Sequence, residues 1–169
     1  NYFNINAGIS RKKKLSLFFK DYEVSAIMEL YSIKCKDFFL NAYPTSKLKN
    51  FLSHIQSKYK EIKIFILSGG EKNEIKIFLK KNYLIDFFEE ILASEKSKID
   101  HLKNKYITPN DIFIGDSKND LKTALDIGIK FILFEKYKSL KSFPEEESIN
   151  KQIFLKTKDF ESLMRIINI

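Results

Sequence analysis

The spacing of apolar residues divides the chain into two parts. In the first part, apolar side chains recur at intervals of three and four residues, a spacing typical of helices with one buried face. The longest such stripe runs through Val24, Ile27, Met28, Tyr31, Cys35, Phe38 and Phe39. Ser10 is placed to cap a shorter helix before this stripe, and Thr45 to cap the helix after it. We therefore expect the chain to begin with a helical segment.

Short apolar runs alternate with single helical patterns from residue 62 onward. The runs at 62–67, 90–92, 111–114, 130–133 and 152–155 predict strands. One helix between them, 119–127, stops at Gly128, a residue suited to the left-handed conformation that ends many helices. The charged stretch 135–150 predicts an exposed loop, and Asp159 is placed to cap a last helix. Strands that alternate with single helices predict an α/β fold with a parallel sheet and right-handed crossovers.

The composition is that of a folded protein of about one domain. The 169 residues are 44% hydrophobic and include 16 Phe, which argues against disorder. The one cysteine, Cys35, excludes an internal disulfide framework and a multi-cysteine zinc site, and it fits a reducing, cytoplasmic compartment. No apolar run approaches the roughly 18 residues that a membrane span requires. The first residues also lack the pattern of a signal peptide.

Basic residues outnumber acidic ones by 30 to 22, which gives a formal net charge of +8. Such a charge can attract a nucleic acid, an anionic substrate or an acidic membrane surface. A binding face would gather its Lys and Arg in one place, but here they are spread along the chain and Arg11-Lys12-Lys13-Lys14 is the one tight run. This distribution is more typical of solvated helix faces, so a nucleic-acid partner is not expected.

Two predicted strands end in polar sequences that could bind a ligand. In parallel sheets, ligands bind beyond the carboxyl ends of the strands, near helix N-termini. The first such end is Ser68-Gly69-Gly70, where a hydroxyl and glycine backbone N–H groups could hold a phosphoryl oxygen. The same three residues are also ordinary turn chemistry, and both interpretations stay open at this point.

The second polar strand end is Gly115-Asp116-Ser117-Lys118-Asn119-Asp120. Two carboxylates four residues apart, Asp116 and Asp120, straddle a strand end and the first turn of a helix. Oxygen ligands in this position suit a hard cation such as Mg2+ that keeps several waters. Alternatively, Asp120 complements the helix dipole and Asp116 fills a turn.

These motifs resemble those of the haloacid dehalogenase-like (HAD) hydrolase superfamily, in its phosphoglycolate-phosphatase-like branch. The stretch that ends at Ser68 and Gly69 is similar to the second motif, whose hydroxyl holds the transferring phosphoryl group. Lys98 matches the lysine of the third motif, with Lys96 as the competing choice, and Asp116 with Asp120 matches the acidic pair that holds Mg2+. The resemblance implies a Rossmann-like parallel sheet and a Mg2+-dependent phosphatase that acts on a small phosphorylated metabolite.

The resemblance also implies a division of the chain at residue 44. Residues 1–44 are similar to part of the helical cap that such phosphatases carry, and residues 45–169 are similar to their α/β core. Arg11 and Lys14 lie in a basic cap segment and, by this analogy, would contact the substrate. Exposed charges at a helix start are the alternative explanation for both residues.

The first motif of that superfamily, a strand that ends in Asp-x-Asp and carries the nucleophile, does not occur in this sequence. We therefore expect the chain as written to lack phosphatase activity, either because upstream residues are missing or because the protein binds phosphate, nucleic acid or a partner without turnover. Phosphomutase and dehalogenase activities stay open within the same superfamily. A nucleophile built from Cys35 with His54 or His101 is a further alternative.

Overall fold

The computed structural model describes residue 2, residues 6–137 and residues 151–166. These residues form helices and parallel strands, which confirms the predicted α/β fold. The chain divides into two compact units. The first unit is Ser10–Ser97, and the second combines the described parts of 1–9 and 98–168. The predicted boundary between a cap and a core at residues 44 and 45 stays a prediction.

The first unit begins with three helices and ends with a two-stranded parallel sheet. Its elements are helices α1 (Arg11–Leu15), α2 (Asp21–Asn41) and α3 (Leu48–Lys58), strand β1 (Phe65–Leu67), helix α4 (Lys72–Lys81) and strand β2 (Glu90–Leu92). Phe65 pairs with Glu90 and Leu67 with Leu92 in the register of the two strands. Its buried apolar side chains come from helices, strands and connections alike, and they are Val24, Phe51, Leu52, Ile55, Leu79, Leu84, Ile91, Leu92 and Ala93.

The second unit is built around a three-stranded parallel sheet. Its elements are helix α5 (Lys98–Leu102), strand β3 (Ile112–Gly115), helix α6 (Lys118–Ile127), strand β4 (Lys130–Phe134), strand β5 (Leu155–Thr157) and helix α7 (Phe160–Ile166). The strand order is β3-β4-β5, so β4 is central. Four consecutive residues of β4, Phe131 to Phe134, are buried, which is typical of a strand covered on both faces. The ring of Phe131 meets that of Phe113 edge to face, with centroids 6.1 Å apart.

Local capping explains several element boundaries. Ser10 accepts a hydrogen bond from the Lys13 amide, as its predicted cap role requires, although α1 ends at Leu15. Gly128 adopts the left-handed conformation after α6, at φ 76°. Asp159 accepts a hydrogen bond from the Ser162 amide at the start of α7, as predicted.

The predicted cap role of Thr45 is wrong. Residue Lys47, at φ 65°, caps α3 instead. The Thr45 carbonyl accepts a hydrogen bond from the Leu48 amide, so a turn separates Thr45 from the helix.

Other boundaries shift by a few residues. The predicted strand at 62–67 is ordered as a strand over Phe65–Leu67, and the predicted strand at 152–155 lies at Leu155–Thr157. Most of the predicted loop at 135–150 lies outside the described residues. Among the helices of the described part, none is long and apolar enough to cross a membrane.

Truncation of Phe131 tests whether β4 is the centre of the second unit's core. Phe131 is 1% exposed, so Phe131→Ala is expected to lower the free energy of unfolding by about 3–5 kcal/mol through lost burial and the cavity left behind. The matched control is Phe154→Ala, because Phe154 is 56% exposed and should cost less than about 1 kcal/mol. Urea unfolding followed by circular dichroism measures both, and equal losses would contradict the assignment.

Candidate functional site

The carboxyl end of β3 leads directly into the first turn of α6. Ser117 caps α6, since its hydroxyl accepts a hydrogen bond from the Asp120 amide at 3.2 Å. The Asp120 carboxylate accepts one in return from the Ser117 amide at 3.0 Å. This reciprocal arrangement is a capping box, which satisfies two amides that the helix itself cannot. It places the Asp120 carboxylate against the backbone amides of Asp116 and Ser117.

Asp120 is the best-connected side chain of this loop. Its Oδ2 accepts hydrogen bonds from the Asp116 amide at 3.2 Å, the Ser117 amide at 3.0 Å and the Ser117 hydroxyl at 2.7 Å. Its Oδ1 accepts a hydrogen bond from Lys98 Nζ, which also forms an ion pair with it. Asp120 is 4% exposed and Lys98 is 9% exposed. A buried carboxylate is stable as an anion only with such partners.

The Lys98 ammonium is the only cation that the structure pairs with Asp120 within its described residues. It also lies 5.7 Å from the centroid of the Phe113 ring, within reach of a cation–π interaction. Lys96, the competing choice for the third motif, is exposed. The geometry thus brings Lys98 to the loop after β3.

Asp116 differs from Asp120 in its surroundings. Burial raises the pKa of the Asp116 carboxyl, and the negative charge of Asp120 raises it further, while Lys98 acts in the opposite direction. The backbone amide of Asp116 also acts to lower this pKa. A half-buried carboxylate whose ionised form is disfavoured gains from a nearby cation.

The donor set of this loop fits Mg2+ rather than a metal that needs a full protein cage. The described residues contain no group of three or more His, Cys, Asp or Glu side chains placed to hold a metal ion. Mg2+ commonly takes one or two carboxylates and completes its shell with water and substrate phosphate. Asp116, with Asp120 behind it, could supply that contribution.

Two glycines allow the close packing of this loop. A Cβ on Gly115 would lie 2.5 Å from Asp120 Cβ and 2.8 Å from Asp120 Oδ2. A Cβ on Gly8, at φ 82°, would lie 2.5 Å from Ser117 Oγ. The Gly8 carbonyl accepts a hydrogen bond from Asn119 Nδ2 at 3.2 Å. Gly8, Ser117 and Asn119 thus support the site, and no pattern in the sequence indicated these contacts.

Ser68 directly follows strand β1 in the first unit. Its amide donates to the Leu92 carbonyl at 2.9 Å, which extends the pairing of β1 with β2. Its hydroxyl accepts a hydrogen bond from the Gly70 amide at 3.0 Å, so the hydroxyl hydrogen can be donated to an anion. Ser68 and Gly69 belong to one unit, and Lys98, Asp116 and Asp120 belong to the other. The resemblance to HAD hydrolases implies that these residues share one pocket, and this stays a prediction.

Arg11 has a partner within the first unit. Its two terminal nitrogens donate to the two carboxylate oxygens of Glu74 at 2.9 and 2.8 Å. Its guanidinium lies 4.2 Å from the centroid of the Tyr31 ring. Burial lowers the pKa of the nearby Lys14 ammonium, and the positive charge of Arg11 lowers it further. The geometry shows that Arg11 links helices, and the predicted substrate contacts of Arg11 and Lys14 stay predictions.

The raised pKa of Asp116 predicts a pH dependence of stability in the absence of divalent cations. Because the folded state favours the protonated form, the stability that this group contributes is fully present below its unfolded pKa and is lost as the pH rises through the folded value. Asp116→Asn cannot ionise, so its melting temperature relative to that of the wild type is expected to increase between about pH 3 and about pH 7.

Thermal melts in EDTA across this range measure the difference. Asp126→Asn is the matched control, because Asp126 lies on α6, the helix that follows Asp116, and pairs with Lys122 on the surface. A constant or decreasing difference for Asp116→Asn would contradict the electrostatic account of the loop.

Comparisons with known proteins agree with this architecture. Residues 6–134 match the family of haloacid dehalogenase-like hydrolases. No curated protein sequence is significantly similar to the chain. A haloacid dehalogenase-like family hydrolase from Streptococcus pneumoniae superimposes with a TM-score of 0.68 at 18% identity, over 95% of this chain and 77% of its own.

Two further solved structures share the fold. A candidate phosphatase from Clostridium difficile has a TM-score of 0.66 at 16% identity, over 95% of this chain and 79% of its own. The candidate HAD-hydrolase YfnB from Bacillus subtilis, whose structure is bound to magnesium, has a TM-score of 0.63 at 18% identity, over 89% of this chain and 74% of its own. Since the family match spans most of the sequence, the chain belongs to the haloacid dehalogenase-like hydrolase family.

Proposed function

We propose that the protein is the Mg2+-dependent phosphatase type of HAD-like hydrolase and that it acts on a small phosphorylated metabolite. The observation that carries this proposal is the buried ion pair of Lys98 with Asp120 directly beside the half-buried carboxylate of Asp116. A carboxylate and an ammonium at the carboxyl end of a parallel strand suit a reaction in which negative charge must be neutralised.

Asp116 and Asp120 position Mg2+ in different ways in this proposal. Asp116 would be the direct ligand, because within the described residues the side chains of Lys98 and Ser117 donate their hydrogen bonds to Asp120 rather than to Asp116. Asp120 would act indirectly. Its oxygens accept hydrogen bonds from Lys98 and from the amides of Asp116 and Ser117, which fixes the loop that carries Asp116. When bound, the metal would supply positive charge to the phosphoryl oxygens and orient them.

Lys98 serves both the fold and the chemistry. An ammonium has three N–H donors, and the Asp120 carboxylate takes one of them. The other two are available to a phosphoryl oxygen or to an attacking carboxylate. Lys98 would thereby offset the charge that accumulates as these two anions approach each other.

Ser68 and Gly69 hold the phosphoryl group in the proposal. The Ser68 hydroxyl donates to one phosphoryl oxygen, and the Gly69 amide, in the turn before α4, donates to another. Arg11 and Lys14 remain proposed contacts to the remainder of the substrate.

The covalent route needs a carboxylate nucleophile on an Asp-x-Asp strand. The sequence contains no Asp-x-Asp, and we assign the nucleophile to none of its residues. The residues named here therefore account for metal binding, charge neutralisation and phosphate binding in the proposal, and not for the nucleophilic attack.

Calorimetric titration with MgCl2 tests the metal site. Wild-type protein is expected to bind Mg2+, and Asp116→Asn to weaken binding by more than about tenfold, because the site loses a charged oxygen ligand. Asp126→Asn is the control for a carboxylate removed from α6, away from the loop after β3, and should leave the affinity unchanged. Equal affinities for Asp116→Asn and the wild type would refute the assignment.

Hydrolase activity is tested after an apolar strand ending in Asp-x-Asp is joined upstream of the chain. Mg2+-dependent release of p-nitrophenol from its phosphate ester, lost in Asp116→Ala, is the expected result. Turnover that survives this substitution would reject the site, and halide release without a metal requirement would favour a dehalogenase instead.

A further inference from the structure

Hydrogen bonds tie the loop after β1 to the loop after β2. The Ser94 amide donates to the Gly70 carbonyl at 3.0 Å. The Ser94 hydroxyl donates to Glu71 Oε1 at 2.7 Å. These bonds connect residues more than twenty positions apart, and all of them lie within the first unit. They therefore fix the loop that contains Ser68 and Gly69 against the loop that follows Leu92.

Glu71 is a carboxylate next to the loop of Ser68, Gly69 and Gly70, here called the phosphate loop. It is the residue that precedes α4 as its cap, but its side chain makes no capping hydrogen bond to that helix. The N-terminus of a helix attracts negative charge, and this holds for a bound anion and for a nearby carboxylate alike. A carboxylate that turned toward the start of α4 would occupy or repel the anion that Ser68 and Gly69 are proposed to bind.

We propose that Ser94 is a positioning residue for the phosphate loop, because it holds the Glu71 carboxylate away from the N-terminus of α4. The proposal rests on the phosphate-binding role proposed above for Ser68. The Ser94 hydroxyl, just beyond the end of β2, gives Glu71 a fixed hydrogen-bond donor. The carboxylate therefore has a partner without entering the anion site. Ser94 need not contact the phosphate itself in order to act.

The hydrogen bond from Ser94 to Glu71 could act as a tether between the two loops or as a restraint on the Glu71 charge, and the two roles predict different effects of substitutions. If the bond between Ser94 and Glu71 served only to hold the loops together, losing either partner would weaken phosphate binding. If Ser94 restrains a competing charge, losing Ser94 alone weakens binding, whereas neutralising Glu71 does not. The double variant then separates the two roles, because it has neither the restraint nor the charge.

Titration of the full chain with inorganic phosphate, followed by 31P nuclear magnetic resonance, measures these effects. Ser94→Ala is expected to weaken phosphate binding by about two- to fivefold, the size of a charge effect at a helix terminus. Glu71→Gln is expected to bind at least as tightly as the wild type. The double variant Ser94→Ala/Glu71→Gln is expected to return to within about twofold of the wild type. Glu89→Gln, which removes an exposed carboxylate that pairs with Lys63 ahead of the two strands, is the matched control and should have no effect.

Each other outcome has a definite meaning. Equal weakening in Ser94→Ala and in the double variant would show a tether only and would overturn the proposal, as would an unaffected Ser94→Ala. Ser68→Ala separates this failure from that of the phosphate loop itself. Phosphate binding that is absent, or that does not depend on Ser68, would overturn both the phosphate-binding role of the loop and the inference drawn from it.

Discussion

The candidate site depends on the buried ion pair between Lys98 and Asp120. Removal of either partner of such a pair typically costs about 3–5 kcal/mol, because the other charge is left buried without compensation. The carboxylate that neutralises Lys98 also accepts hydrogen bonds from the amides of Asp116 and Ser117. One side chain therefore sets the charge balance of the site and the backbone conformation that presents Asp116.

A second ion pair, between Arg11 and Glu74, differs from the pair of Lys98 and Asp120 in how its hydrogen-bonding groups are used. Both carboxylate oxygens of Glu74 meet the terminal nitrogens of Arg11, and the guanidinium lies against Tyr31. The pair is complete within itself and links helices of the first unit. Among the described residues, Lys98 instead donates a hydrogen bond to Asp120 alone, and it lies near Asp116, a carboxylate whose ionised form is disfavoured. The remaining N–H donors of Lys98 and the carboxylate of Asp116 favour chemistry at that loop.

Local patterns predicted the elements well and the contacts between them poorly. The buried run of β4 and the stop at Gly128 follow from neighbouring residues, so the sequence indicated both. The predicted cap role of Thr45 was wrong because a turn intervenes before α3, and the conformation of that turn depends on the whole connection between the helices. The bonds from Lys98 to Asp120 and from Ser94 to Glu71 join residues 22 and 23 positions apart, and no periodicity encodes them.

Carboxyl 13C nuclear magnetic resonance during a Mg2+ titration tests the division of roles between the two aspartates most directly. The account predicts that the Asp116 carboxyl signal shifts with added Mg2+ and saturates, whereas the Asp120 signal, held by Lys98 and Ser117, changes little. A large shift at Asp120 with none at Asp116 would contradict it, and so would a titration in which neither carboxyl responds.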